Sequence, residues 1–134
     1  MSKEIKFRGK SKESGEWLFG YLLYYGITVF IAPIGVGWFD IVGTKRLIKS
    51  KFEVIPETVG QFTGQTDKKG KEIYEGDIYS VLGYEVVDGK QTRPKRIIEV
   101  KFTPSDLFRL ENLVIGNGTV EIIGNIHENP ELLK

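Results

Sequence analysis

The stretch QFTGQTDKKGKEIYEGD, residues 61–77, decides how the rest of the chain reads. It overlaps a candidate strand at 58–63 and turns through Gly64, Asp67 and Gly70. It then enters a short strand at 72–74, turns again at Gly76 and Asp77, and releases into the apolar run 78–82. Glycine suits such corners because it accepts positive φ, and aspartate because its carboxylate binds nearby backbone amides. The stretch reads as a framework of turns, and nothing in it identifies a reaction.

Working outward, period-2 alternation and turn residues recur every eight to twelve positions, with β-branched and aromatic residues between them. Residues 3–10 (KEIKFRGK) alternate as a strand. SKESG at 11–15 is a turn, and EWLFGYLLYY at 16–25 is a second strand, bent or bulged at Gly20. ITVFI at 27–31 is a third, ended by Pro33. The glycine-rich run 34–43 is open to three readings: a loop, a bulged strand or a surface patch. Asp88-Gly89 marks a hairpin tip, and RIIEVKF at 96–102 reads as a strand. The run 103–106 opens either a loop or a single helical turn. ENLVIGNGTVEIIG at 111–124 reads as two strands around Asn117-Gly118, the strongest short-range hairpin signal. No run shows apolar 3.6 periodicity over three turns. The expected fold is mainly β, with bent antiparallel strands packed on a small barrel-like sheet and at most one or two short helical turns. Two regions are expected, 1–55 and 56–134, or one integrated domain.

Composition bounds the rest. A chain of 134 residues, 40% hydrophobic and 28% charged, folds without metal or disulfide support. Cysteine is absent, which removes thiolate metal sites and fits a reducing cytoplasm. No apolar run follows the basic start, so no signal peptide is expected, and no run is long and apolar enough to suggest a membrane helix. The net charge of +1 divides unevenly: residues 1–55 hold 9 Lys/Arg against 5 Asp/Glu, and residues 56–134 hold 10 against 13.

Several residue sets invite chemistry. Asp67, Glu72, Glu75 and Asp77 would serve a carboxylate-based, metal-dependent enzyme if they converged, but their spacing does not fit a calcium loop. Turn formation explains them better. His127 is the only histidine, and with no cysteine it makes neither a zinc site nor a recognisable triad. GQTDKKGK at 64–71 has one residue too many for a phosphate loop. No catalytic residue, metal ligand or cofactor is assigned. Two basic clusters, Lys45, Arg46, Lys49 and Lys51 in one and Arg93, Lys95 and Arg96 in the other, would contact nucleic-acid phosphates. Tyr24, Tyr25, Trp38 and Phe39 would stack on bases or form the core of a homo-oligomeric interface.

The segments 54–61 (VIPETVGQ), 62–78 (FTGQTDKKGKEIYEGDI) and 121–133 (EIIGNIHENPELL) together resemble the YopX family of phage and prophage proteins. The opening IKFRGKSKESGEWLFGYL, residues 5–22, is similar to that family's start. The matching positions are Phe62, Thr63, Gly64, Asp67, Gly70, Ile73, Tyr74, Gly76, Asp77, Gly124, Asn125, Asn129 and Pro130. The resemblance implies a small β-rich protein acting in the cytoplasm of a bacterial host, and it supplies no catalytic residue. Relatives carry tyrosine where this chain has His127, so the resemblance lends no support to a catalytic imidazole. The expected function is that of a non-enzymatic accessory protein that binds itself, a phage or host protein, or another macromolecule. A nucleic-acid-binding protein is the alternative, and a metal-dependent enzyme comes third.

Overall fold

Alternation in the first sixty residues builds an antiparallel meander. The strands are β1 (Phe7–Lys10), β2 (Trp17–Tyr25) and β3 (Thr28–Pro33). The computed structural model describes residues 4–42 and 48–134, Trp38 and Phe39 by backbone only. It divides into two compact units, Met1–Phe62 and Thr63–Lys134.

In the first unit β1 pairs with β2 from Phe7 opposite Gly20 to Lys10 opposite Trp17, and β2 pairs with β3 from Gly20 opposite Pro33 to Tyr25 opposite Thr28. The pairing passes Gly20 without an inserted residue, so of the two readings, bend or bulge, the bulge is absent. A Cβ at Gly20 would lie 2.1 Å from the Ala32 carbonyl oxygen, so glycine is needed for close strand approach. Strand β3 is buried on both faces. Phe30 and Ala32 pack with Ile41 and Phe52, while Val29 and Ile31 pack with Val54. The following chain covers part of its outer edge, because the Val54 N–H donates to the Val29 carbonyl at 3.0 Å. That cover protects an apolar edge. The 34–43 run contains a short helical turn, α1 (Trp38–Ile41). A 3-10 turn, Pro56–Thr58, leads into β4 (Gly60–Thr66), whose first residues pair with β1.

The second unit takes up the rest of β4, which pairs with β5 (Glu72–Tyr74). Strand β6 (Asp77–Leu82) leads into a small hairpin of β7 (Glu85–Val87) and β8 (Lys90–Thr92), and β9 (Lys95–Glu99) returns beside β6. Asp88 and Gly89 both have positive φ, 51° and 75°, as the tight reversal requires. After a helix, β10 (Glu121–Asn125) pairs with the other side of β6. The core gathers Ile73, Tyr79, Val81, Val100, Leu110 and Val120.

Mainly β is correct, but two features of the expected fold are not. Among the described residues no sheet closes into a barrel: the three-stranded sheet ends at β10 on one side and at β9 on the other. The expected limit of one or two short helical turns fails as well, and with it the hairpin around Asn117-Gly118. Residues 104–117 form one helical run: nine residues of α2 (Pro104–Asn112) continue into five in π geometry, Leu113–Asn117. Thr103 caps it by accepting the Asp106 N–H at 3.3 Å, and Pro104 occupies the first turn. Leu110, Leu113 and Val114 turn to the core, whereas Phe108 and Ile115 are exposed. Those two apolar residues on the outer face blur the helical stripe. Gly118, at φ 75°, is the left-handed cap at the helix end, a role Asn-Gly fills as readily as a hairpin tip.

Candidate functional site

The turn residues of the second unit are positioned by its strand ends, and their polar groups bind backbone. Asp67 is 7% exposed. Its Oδ1 accepts the N–H groups of Lys69 and Lys71, both at 2.9 Å, and its Oδ2 accepts the Ile122 N–H at 2.9 Å. One carboxylate therefore closes its own turn and fastens β10 to it. Asp77 is buried, and its Oδ2 accepts the Tyr74 N–H at 2.8 Å across the Glu75-Gly76 corner. Gly64, Gly70 and Gly76 have φ of 87°, 84° and 92°, values at which an L side chain is strained. The Thr63 hydroxyl donates to the Ile73 carbonyl at 2.8 Å and holds β5 beside β4.

The tail is built the same way. Asn125 Oδ1 accepts the N–H groups of His127 and Glu128, at 3.0 and 2.9 Å. Asn129 Oδ1 accepts the Asn125 N–H at 3.2 Å, and a Cβ on Gly124 would lie 2.6 Å from that oxygen. Pro130 opens the 3-10 turn Pro130–Leu133. Asn117, at the helix end, donates through Nδ2 to the Leu82 carbonyl at 2.8 Å, and its Oδ1 accepts from the Thr119 hydroxyl. Read from sequence as a hairpin tip, this residue instead ties helix to strand.

Beside this framework lies an open cleft of about 150 Å³ lined by Thr66, Asp67, Lys68, Val114, Gly118 and Val120. At its rim the carboxylate of Glu121 receives Lys68 at 3.2 Å and Lys69 at 2.9 Å. The hydrogen bond from Lys69, seconded by Lys68, holds Glu121 below the usual glutamate range, and the same bond raises Lys69. Tyr79, inside the core, is raised by burial. Asp106 is lowered by the Thr103 hydroxyl and then by Arg109.

The acids do not converge. The Asp67 and Asp77 carboxylates accept backbone amides, and Glu72 accepts the Tyr74 hydroxyl at 3.1 Å. Among the described residues no group of three or more His, Asp or Glu side chains is placed to hold a metal. Lys49 and Lys51 are exposed in the first unit; Arg93, Lys95 and Arg96 are exposed in the second. Lys45 and Arg46 lie outside the described residues, as do the side chains of Trp38 and Phe39. Tyr24 and Tyr25 are 66% and 59% exposed near the β2–β3 turn. Neighbouring them in sequence, Phe19, Tyr21 and Ile27 are also exposed.

Fold and site together define a small, mainly β protein of two units, in which Asp67, Asp77, Asn125 and Asn129 close turns. The chain belongs to the YopX family of phage and prophage proteins: the family model described as "YopX protein" matches residues 6–134. Among solved structures it is similar to protein EF1440 from Enterococcus faecalis, at 26% identity and a TM-score of 0.54 over 99% of this chain and 100% of that one. No curated protein matches it. Among the described residues no helix is long and apolar enough to cross a membrane.

Proposed function

We propose that this chain works without catalysis, as an accessory protein in the bacterial cytoplasm that assembles with copies of itself through the β2–β3 hairpin. One observation carries the reading. Phe19, Tyr21 and Tyr25 stand on one face of β2 and are each about half exposed, and Tyr24 and Ile27 extend the apolar surface at the turn. Alternation puts the odd-numbered residues of β2 on a common face. On that face Leu23 is covered by the Phe30 cluster, while its aromatic neighbours remain accessible. Accessible aromatics grouped on a rigid strand are typical of interface cores. A two-fold pairing would bury the same patch on both copies.

Light scattering coupled to size exclusion tests this. The wild-type chain is expected to run as a multimer whose mass is unchanged between ~50 and ~200 mM salt, because the contact is apolar. Tyr21→Ser/Tyr25→Ser is expected to run as a folded monomer. A monomeric wild type overturns the reading.

A further inference from the structure

Residues 77–100 form one long hairpin in a single register. Ile78 lies opposite Glu99, Leu82 opposite Lys95, Glu85 opposite Thr92 and Val87 opposite Lys90. No residue is inserted or dropped between the two ladders. They are interrupted at Pro94, which has no N–H to give. Even there the Gly83 N–H reaches the Pro94 carbonyl at 2.7 Å.

The two halves of this hairpin differ sharply. At the inner end Ile78, Tyr79, Ser80 and Val81 are all buried. From residue 84 to residue 93 every residue is exposed. An isolated two-stranded ribbon is marginal in water. This one is braced: Arg93 donates to the Gly83 and Leu82 carbonyls at 3.1 and 3.2 Å, and Gln91 Nε2 donates to the Tyr84 hydroxyl at 2.5 Å.

Cross-strand partners share a face, so the register sorts the arm's side chains. One face carries Lys95, Tyr84, Arg93, Val86 and Gln91, and its only charges are positive. The acid Glu85 belongs to the opposite face, and Asp88 sits in the turn. From residue 82 to residue 96 the arm holds four basic and two acidic side chains.

We propose that this arm is a binding element for duplex DNA, laid in the major groove with its Tyr84–Arg93–Lys95 face toward the nucleic acid. The B-form major groove, about 12 Å wide, admits a two-stranded ribbon. The arm extends about 17 Å from Gly83 to its tip at ~3.3 Å per residue, longer than the groove's width of about 12 Å. Arg93 and Lys95 meet phosphates at the groove edge. Gln91, nearer the tip, would exchange its contact with the Tyr84 hydroxyl for an adenine edge, which a glutamine amide reads. A-form RNA has a deep, narrow major groove that excludes such a ribbon. The proposal goes beyond the self-association reading and does not depend on it.

The test is fluorescence anisotropy of a labelled, mixed-sequence DNA duplex with the full chain at ~50 and ~200 mM salt, where phosphate contacts separate from apolar ones. Arg93→Gln/Lys95→Gln is expected to bind about tenfold more weakly or worse, with a log affinity–log salt slope shallower by about 1.8 for two lost phosphates. A second variant deletes the opposed pairs Glu85/Thr92 and Val86/Gln91. It shortens the arm without shifting the register, and is expected to lose a similar factor with its circular dichroism unchanged. Absence of duplex binding by the wild type overturns the proposal, as does undiminished binding by the shortened arm or equal affinity for duplex RNA. A multimer that falls to monomer when the arm is shortened, with no DNA bound, also overturns it and assigns the arm to a second copy of the chain.

Discussion

The two units spend their distinctive residues in opposite ways. In the second unit Asp67, Asp77, Asn125 and Asn129 bind backbone amides with their side-chain oxygens. In the first, Tyr21, Tyr24 and Tyr25 are left accessible on a hairpin whose neighbouring strand, β3, is packed on both sides. A polar side chain that satisfies buried amides is hard to replace, because each orphaned group keeps its full desolvation penalty. An exposed aromatic is free to change unless something binds it. The turn residues therefore report how the second unit stands up, and the exposed rings of the first are where the proposed self-association is tested.

The largest expected effect sharpens this contrast. Asp67→Ala removes the acceptor of three amides and should cost about 3 kcal/mol or more, read as a lower urea midpoint. Asp67→Asn keeps the shape and should cost less. Gly20→Ala tests whether the first unit has an equally strict position. The added methyl meets the Ala32 carbonyl, and a loss of about 2–3 kcal/mol is expected. A neutral result would show that β2 and β3 can separate freely. Thr103→Ala removes the cap of α2 and should cost about 1 kcal/mol, with helical ellipticity falling. If residues 111–117 were strand, that substitution would leave ellipticity unchanged.

The pH effects are smaller and lie at two extremes. Tyr79 is raised by burial, so above the ordinary tyrosine pKa of 10.0 the unfolded chain ionises first. Stability then falls until the folded tyrosine titrates, and Tyr79→Phe should flatten that alkaline decline. Glu121 is lowered by its lysines, so the contribution of this exposed cluster is complete above 4.5 and fades as the pH drops through the lower folded value. Glu121→Gln should change acid unfolding only slightly.

Much of the strand pattern was legible in the residues because strands announce themselves locally. Alternation marked β1, and Asp88-Gly89 marked its hairpin. The helix was not legible. Asn117-Gly118 supplies positive φ to a hairpin tip and to a helix cap alike, and the exposed Phe108 and Ile115 interrupted the apolar stripe. Sheet closure was not legible either, since it depends on which distant strands pair. Within the candidate site, the acids at 67 and 77 were read as turn residues, and their carboxylates accept backbone amides. The hydrogen bond from Ile122 to Asp67 spans 55 residues, and no local spacing encodes it. The single register of residues 77–100 likewise appears only once both ladders are seen.

The proposed reading is that turn residues hold the fold while the exposed rings of β2 hold an assembly of copies. Its most direct measurement is the light-scattering mass of the wild type, Asp67→Asn and Tyr21→Ser/Tyr25→Ser under conditions where all three are folded. A shared multimeric mass for the first two and a monomer for the third is the predicted result. A multimer that survives loss of both tyrosines, or one that dissolves with Asp67→Asn alone, would contradict it.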